Sequence, residues 1–179
     1  MKKYLFFIFS VFALSINGFS QDCDNLINTS IDHITGKLDA ACTDNITLSD
    51  SAGYQLTIAS AMRNNQLLIT FTITGSSSWC FDKYGIIYFI FKDKSQSSYH
   101  NLNEFNCDGL SELKINANTS LANQASNDQE LKALTGRTIR TIRLKTMHSL
   151  VHFDMSQKDS DLFDKQLTCL WQFQTGTGR

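Results

Sequence analysis

Two stretches in the first half of the chain alternate apolar and polar residues with a period of two. Leu56-Thr57-Ile58-Ala59-Ser60-Ala61-Met62 and Leu67-Leu68-Ile69-Thr70-Phe71-Thr72-Ile73-Thr74 each turn one side to an apolar core and the other to water, the signature of half-buried antiparallel strands. Arg63-Asn64-Asn65-Gln66 lies between them, and asparagine tolerates positive φ, so a hairpin with its turn there is predicted. A third run, Ile86-Ile87-Tyr88-Phe89-Ile90-Phe91, is apolar without interruption. It is short and β-branched or aromatic throughout, which favours a strand over a buried helix. Its lack of alternation predicts cover on both faces, at the centre of a sheet.

Further along, Lys92 to Ser97 has turn chemistry and Ser98 to Phe105 can return as a partner strand. Ser111 to Ala117 alternates through Leu113, Ile115 and Ala117, and a polar loop covers 118–127. Ser126 opens a short helical pattern through Glu130, Leu131 and Leu134 that Gly136 can stop. Arg137 to Thr146 is strand-like, but Ile139, Ile142 and Leu144 do not share parity. Either a bulge near Arg140 or burial on both sides follows. After the strand-like Leu150 to Met155, Ser156 and Asp159 mark a helix start, with Leu162, Phe163, Leu167 and Leu170 on one face. Residues 174–179 carry Gly176 and Gly178 and read as a frayed tail. The fold expected is mainly β to α+β: an antiparallel sheet or sandwich of about seven to eight strands with a C-terminal helix packed on it.

The amino end changes where this domain should reside. Lys2 and Lys3 precede an apolar run from Tyr4 to Ile16, then Asn17-Gly18-Phe19-Ser20. The run is shorter than the roughly 18 residues a membrane span needs, and small Gly18 and Ser20 suit signal-peptidase cleavage. Residues 1–20 therefore read as a Sec signal peptide and 21–179 as a single β-rich domain, periplasmic or extracellular, without an integral membrane span. Asp22 stands where a lipobox would have a small neutral residue before Cys23, so lipid anchoring is not expected. Removing the leader takes two of 16 basic residues and none of 17 acidic ones, leaving a net charge of about −3. That balance, with no proline and 42% hydrophobic residues, excludes a proline-rich linker and a disordered chain, and gives no basic excess for nucleic acid.

Cys23, Cys42, Cys80, Cys107 and Cys169 all lie beyond the leader, and an exported chain is expected to form disulfides. None belongs to a CxxC, which argues against a thioredoxin-type centre or a zinc ribbon. Five is odd, so two disulfides and one leftover cysteine are expected. Spacing does not determine the connectivity; Cys23 with Cys42 and Cys80 with Cys107 are the sequence-local pairs.

Gly85-Ile86-Ile87-Tyr88-Phe89-Ile90-Phe91-Lys92-Asp93, Asn106-Cys107-Asp108-Gly109, Leu134 with Ile139-Arg140 and Ile142-Arg143, and Phe163 to Cys169-Leu170 occur in this order. The chain resembles, over about residues 79–171, small exported Bacteroidetes proteins of unknown function. The resemblance implies a bacterial envelope location and a mostly β domain, with no catalytic residues to carry over. Lys92-Asp93-Lys94 departs from the Asp-Gly turn of that pattern.

Candidate chemistry is sparse. His148 and His152 have the i, i+4 spacing of a helical metal pair but lie in a strand or turn context, where four residues span about 13 Å. His152 and Asp154 share a strand face with Ser149 nearby, a Ser-His-Asp trio without a G-x-S-x-G elbow. Asp159, Asp161 and Asp164 lack the glycine and distal glutamate of a calcium loop and fit a helix N-terminus instead. Arg137, Arg140, Arg143 and Lys145 gather positive charge on one segment without interleaved aromatics, which suits a salt-bridging strand or a weak anion site. No cofactor motif is present. The reading is a noncatalytic binding or structural module of the envelope, its partner an envelope protein or a glycan. The alternative is a small secreted hydrolase whose site forms only in three dimensions, with His152, Asp154 and Ser149 or a free cysteine as its candidates.

Overall fold

A computed structural model describes residues 23–31, 33, 36–75, 79–116 and 129–175; the expected leader and residues 176–179 of the expected tail lie outside them. Among the described residues ten strands form two antiparallel sheets. The first sheet has the order β1(Ile27–Ile31), β2(Leu38–Cys42), β4(Gln55–Arg63), β5(Gln66–Thr74), β8(Leu110–Asn116), and β3(Ile46–Ser49) also pairs with β4. In the second the order is β10(Leu150–Asp154), β9(Ile139–Lys145), β6(Ile86–Phe91), β7(Gln96–His100). Helix α1(Gln157–Thr175) follows β10.

The predicted hairpin is β4–β5, with Arg63 opposite Gln66. Asn64 and Asn65 both take positive φ, 49° and 64°, as a two-residue turn matching the strand twist requires. Leu67, Ile69, Phe71 and Ile73 of β5 are buried and the intervening threonines are half-buried. The bulge expected near Arg140 is present: Ile90 pairs with Thr141 but Phe91 with Ile139, so Arg140 is the additional residue. Ile139, Ile142 and Leu144 consequently all reach the core despite their parity.

Two expectations need correction. β6 is an inner strand of its sheet, but only Ile87, Phe89 and Phe91 are buried; Ile86, Tyr88 and Ile90 are half-exposed. The other sheet and α1 cover one face of β6 and leave its outer face to solvent. Its partner β7 is Gln96–His100 rather than Ser98 to Phe105, because the chain turns off at Asn101 to bond Gly85 and Asp82. The expected architecture of antiparallel sheets with a C-terminal helix is present; among the described residues the strands number ten, with β1, β2 and β3 arising from short segments without a long alternating pattern. Spacing left the connectivity open; in the structure Cys23 bonds Cys169 and Cys80 bonds Cys107. Cys42 is the free cysteine.

One apolar core holds the layers together. At its centre Phe89 of β6 meets Phe71 of β5, ring centroids 6.1 Å apart, and stacks on Phe163 of α1 at 6.1 Å. Tyr99 of β7 closes on Phe89 edge-on at 5.7 Å. Helix α1 begins as predicted: the Ser156 Oγ accepts the Asp159 N–H, and its hydroxyl donates to Asp159 Oδ2 at 2.6 Å. Phe163, Leu167 and Leu170 form its buried face, whereas Leu162 is half-buried. Polar struts orient the helix, with the Ile139 N–H donating to Ser160 Oγ at 2.8 Å and the Gln166 amide to the Asp44 carbonyl at 2.7 Å. Among the described residues no helix is long and apolar enough to cross a membrane.

Cys42 sits half-buried opposite Ile27. Burial, and then the Asp44 carboxylate, pushes its thiol up to about 12. The folded state thus binds a proton that the unfolded chain releases above about pH 9, and stability falls as pH rises from there toward 12. Tyr99, lifted to about 12 by burial and Glu130, acts in the same direction above pH 10. In native protein at pH 8, Cys42 is expected to resist iodoacetamide and then to react at once in denaturant, read by intact mass. Rapid labelling of native protein would contradict this placement.

Candidate functional site

Three loops meet at one end of the second sheet, where β6 begins, β7 ends and β9 turns into β10. Phe81 and Asn106 exchange both backbone hydrogen bonds, at 2.8 and 3.0 Å, beside the Cys80–Cys107 disulfide. The Met147 N–H donates to the Cys80 carbonyl, and the Gly109 N–H to the Trp79 carbonyl, both at 3.0 Å. Gly109 has φ of 71°, and a Cβ there would lie 2.3 Å from the Ile73 carbonyl oxygen, so only glycine allows this close approach.

Two asparagines bind the loops together. Asn101 is buried; its Nδ2 donates to the carbonyls of Asp82 at 2.8 Å and Asn103 at 3.3 Å. Its Oδ1 accepts the Glu112 N–H at 3.0 Å, the Ser111 hydroxyl at 3.1 Å and the Asn103 N–H at 3.3 Å. Asn106 does likewise for the tip, donating to the Leu110 carbonyl at 3.0 Å and accepting the N–H groups of Asp108 and Leu110. Such a network stiffens the backbone because each lost partner strands a buried polar group.

This rigid frame presents large apolar side chains to solvent. Tyr84 is 68% exposed, Phe105 63%, Leu102 49% and Met147 49%. They come from loops hydrogen-bonded to one another, and Lys83 Nζ lies 5.2 Å from the Tyr84 ring centroid. Exposed apolar side chains on loops fixed to one another by a scaffold have the physical character of a recognition surface. Asn101→Leu is expected to cost about 2–4 kcal/mol in denaturant unfolding and to speed amide exchange across 102–110, because Asp82, Ser111 and Glu112 lose their partners. A loss below about 0.5 kcal/mol would mean that Asn101 does not hold the loops.

Of the residues singled out for chemistry from the sequence, His148 and Ser149 lie in the β9–β10 turn at this end, and the others lie elsewhere. Ser149 closes the β9–β10 turn with its Oγ 3.2 Å from Thr146 Oγ1; Asp154 accepts the Thr141 hydroxyl at 2.8 Å; His152 is exposed opposite Arg143. No hydrogen bond joins these three. His148 lies in the turn and His152 on the strand. Asp159 accepts the hydroxyl of the capping Ser156, Asp161 accepts the Gln157 amide at 2.8 Å and Asp164 accepts the Gly136 N–H at 2.7 Å. Among the described residues, no three His, Cys, Asp or Glu side chains converge on a point where an ion could sit.

The basic segment divides in two. Arg137 pairs with Asp93 at 3.3 Å and lies 3.5 Å from the Phe91 ring centroid. Hydrogen bonds from Ser95, then Arg137, hold the Asp93 carboxyl below its ordinary range. Arg140, Arg143 and Lys145 have no ion-pair partner among the described residues. Asn101, Tyr84 and Phe105 carried no signal in sequence reasoning, although the turn residues Asn106, Asp108 and Gly109 around Cys107 are the signal that could have marked this loop. Compared with protein-family models, with curated proteins and with solved structures, the chain matches none, so the loop-end geometry itself carries the functional argument.

Proposed function

We propose that the chain is an exported, noncatalytic binding module of the cell envelope, which recognises a protein partner through the loop end around Cys80–Cys107. The observation that carries this reading is the exposure of Tyr84, Phe105, Leu102 and Met147 on loops held by a disulfide and by buried Asn101. Leaving apolar side chains in water is unfavourable, and ordering the loops beforehand lowers the entropy cost of association. Aromatic residues on such a frame have the make-up of interface hot spots. The leader-like amino end and the two disulfides support export.

Retention on isolated cell envelopes tests the reading. Wild-type protein is expected to stay bound through a high-salt wash, since apolar contacts are not screened, while the Tyr84→Ser/Phe105→Ser variant is released with unchanged thermal stability. Equal retention of the two proteins would count against a loop-end site.

A further inference from the structure

We infer that the outer face of the second sheet is a separate site for an acidic polysaccharide, independent of the loop end. The ladder register puts Ser98, Tyr88, Arg143 and His152 in one row across the four strands. In the next row His100 lies opposite Ile86 and Lys145 opposite Leu150, one step beyond the Ile87–Leu144 pair that joins the two halves. Arg143, Lys145, His100 and His152 are exposed, and Tyr88 lies half-exposed between half-exposed Ile86 and Ile90.

Charge defines what this face can take. Arg143 and Lys145 are two residues apart on one strand face, about 7 Å, and repel each other. Their register neighbours Tyr88, His152 and Leu150 cannot neutralise them, and no carboxylate among the described residues forms an ion pair with either. The acidic residue of β10, Asp154, lies one row beyond these two, opposite Thr141, and accepts its hydroxyl. An anion bridging Arg143 and Lys145 relieves the repulsion.

Shape narrows the class. The main chain of β6 and β9 is used on both sides by neighbouring strands, so an extended peptide cannot add to the middle of the face. What remains is a flat array of side chains: the Tyr88 ring, aliphatic surface from Ile86 and Ile90, and two cations. A polymer of carboxylated sugars fits this array, with C–H faces of the sugar rings against Tyr88 and carboxylates on Arg143 and Lys145.

Calorimetric titration of the leader-less chain at low salt, with polygalacturonate, dextran and polyglutamate, tests the assignment. Polygalacturonate is expected to bind, and to bind about tenfold or more weakly after Arg143→Gln/Lys145→Gln or Tyr88→Leu, each at unchanged thermal stability. Tyr84→Ser/Phe105→Ser is expected to leave that affinity unchanged, which separates this site from the loop end. Absence of binding, equal binding of dextran, equal binding of polyglutamate, or no effect of the Arg143/Lys145 variant would each overturn it.

Discussion

Phe89→Ala is expected to cost about 3–5 kcal/mol, enough to leave a domain of ordinary stability barely folded. Phe89 is fully buried and, among the described residues, is the one ring that touches three others, from β5, β7 and α1, so its removal opens a cavity where both sheets and the helix meet. Neither sheet can close that space without shifting its strands against the other. Denaturant unfolding checks this: the midpoint should fall with little change in slope, and Phe89→Leu should cost far less, about 1–1.5 kcal/mol. A loss below about 1 kcal/mol for the alanine variant would mean that the layers do not depend on this contact. The effect reaches the binding surfaces too, because β6 carries Phe89 inward and Tyr88 outward and starts where the loop end is tied to Gly85.

Removing the Cys23–Cys169 disulfide through Cys23→Ala/Cys169→Ala is the second large effect. The bond closes a loop over a sequence separation of 146 residues, for which chain entropy alone gives about 5 kcal/mol, and native disulfides of small secreted domains deliver about 2–5. Thermal unfolding should drop by roughly 5–15 °C. Cys80–Cys107 spans only 27 residues, about 3.5 kcal/mol on the same basis. Its removal should act chiefly on amide exchange in 102–110 and on the loop end. If losing Cys80–Cys107 lowered the unfolding temperature more than losing Cys23–Cys169, the assignment of the long-range bond as the global staple would fail.

How much of this was legible follows from where information resides along the chain. The β4–β5 hairpin, the bulge at Arg140 and the start of α1 are local: alternation, two asparagines, a parity break and a Ser-x-x-Asp cap specify them within a few residues. The burial of β6 was not, because Ile86, Tyr88 and Ile90 are apolar residues left on an open face, and a sequence does not report which face a distant helix will cover. Disulfide connectivity was half legible. Cys80 and Cys107 are near neighbours in sequence, whereas Cys23 meets Cys169 only once the last helix docks beside the first strands. The loop-end surface was hidden for a similar reason: Tyr84, Leu102, Phe105 and Met147 belong to three separate loops, and Asn101 looks like any turn asparagine until its five side-chain hydrogen bonds are seen. Conversely, Ser149, His152 and Asp154 could be drawn as a trio from their spacing, yet each is engaged separately or faces solvent.

Site-specific photocrosslinking in the producing cell tests the loop-end account most directly. A benzophenone amino acid in place of Tyr84 or Phe105 is expected to give one discrete heavier adduct under light, the same partner from both positions, while the same group in place of exposed Lys158 on α1 gives none. No adduct from either loop position, or the same adducts from Lys158, would contradict recognition through this surface.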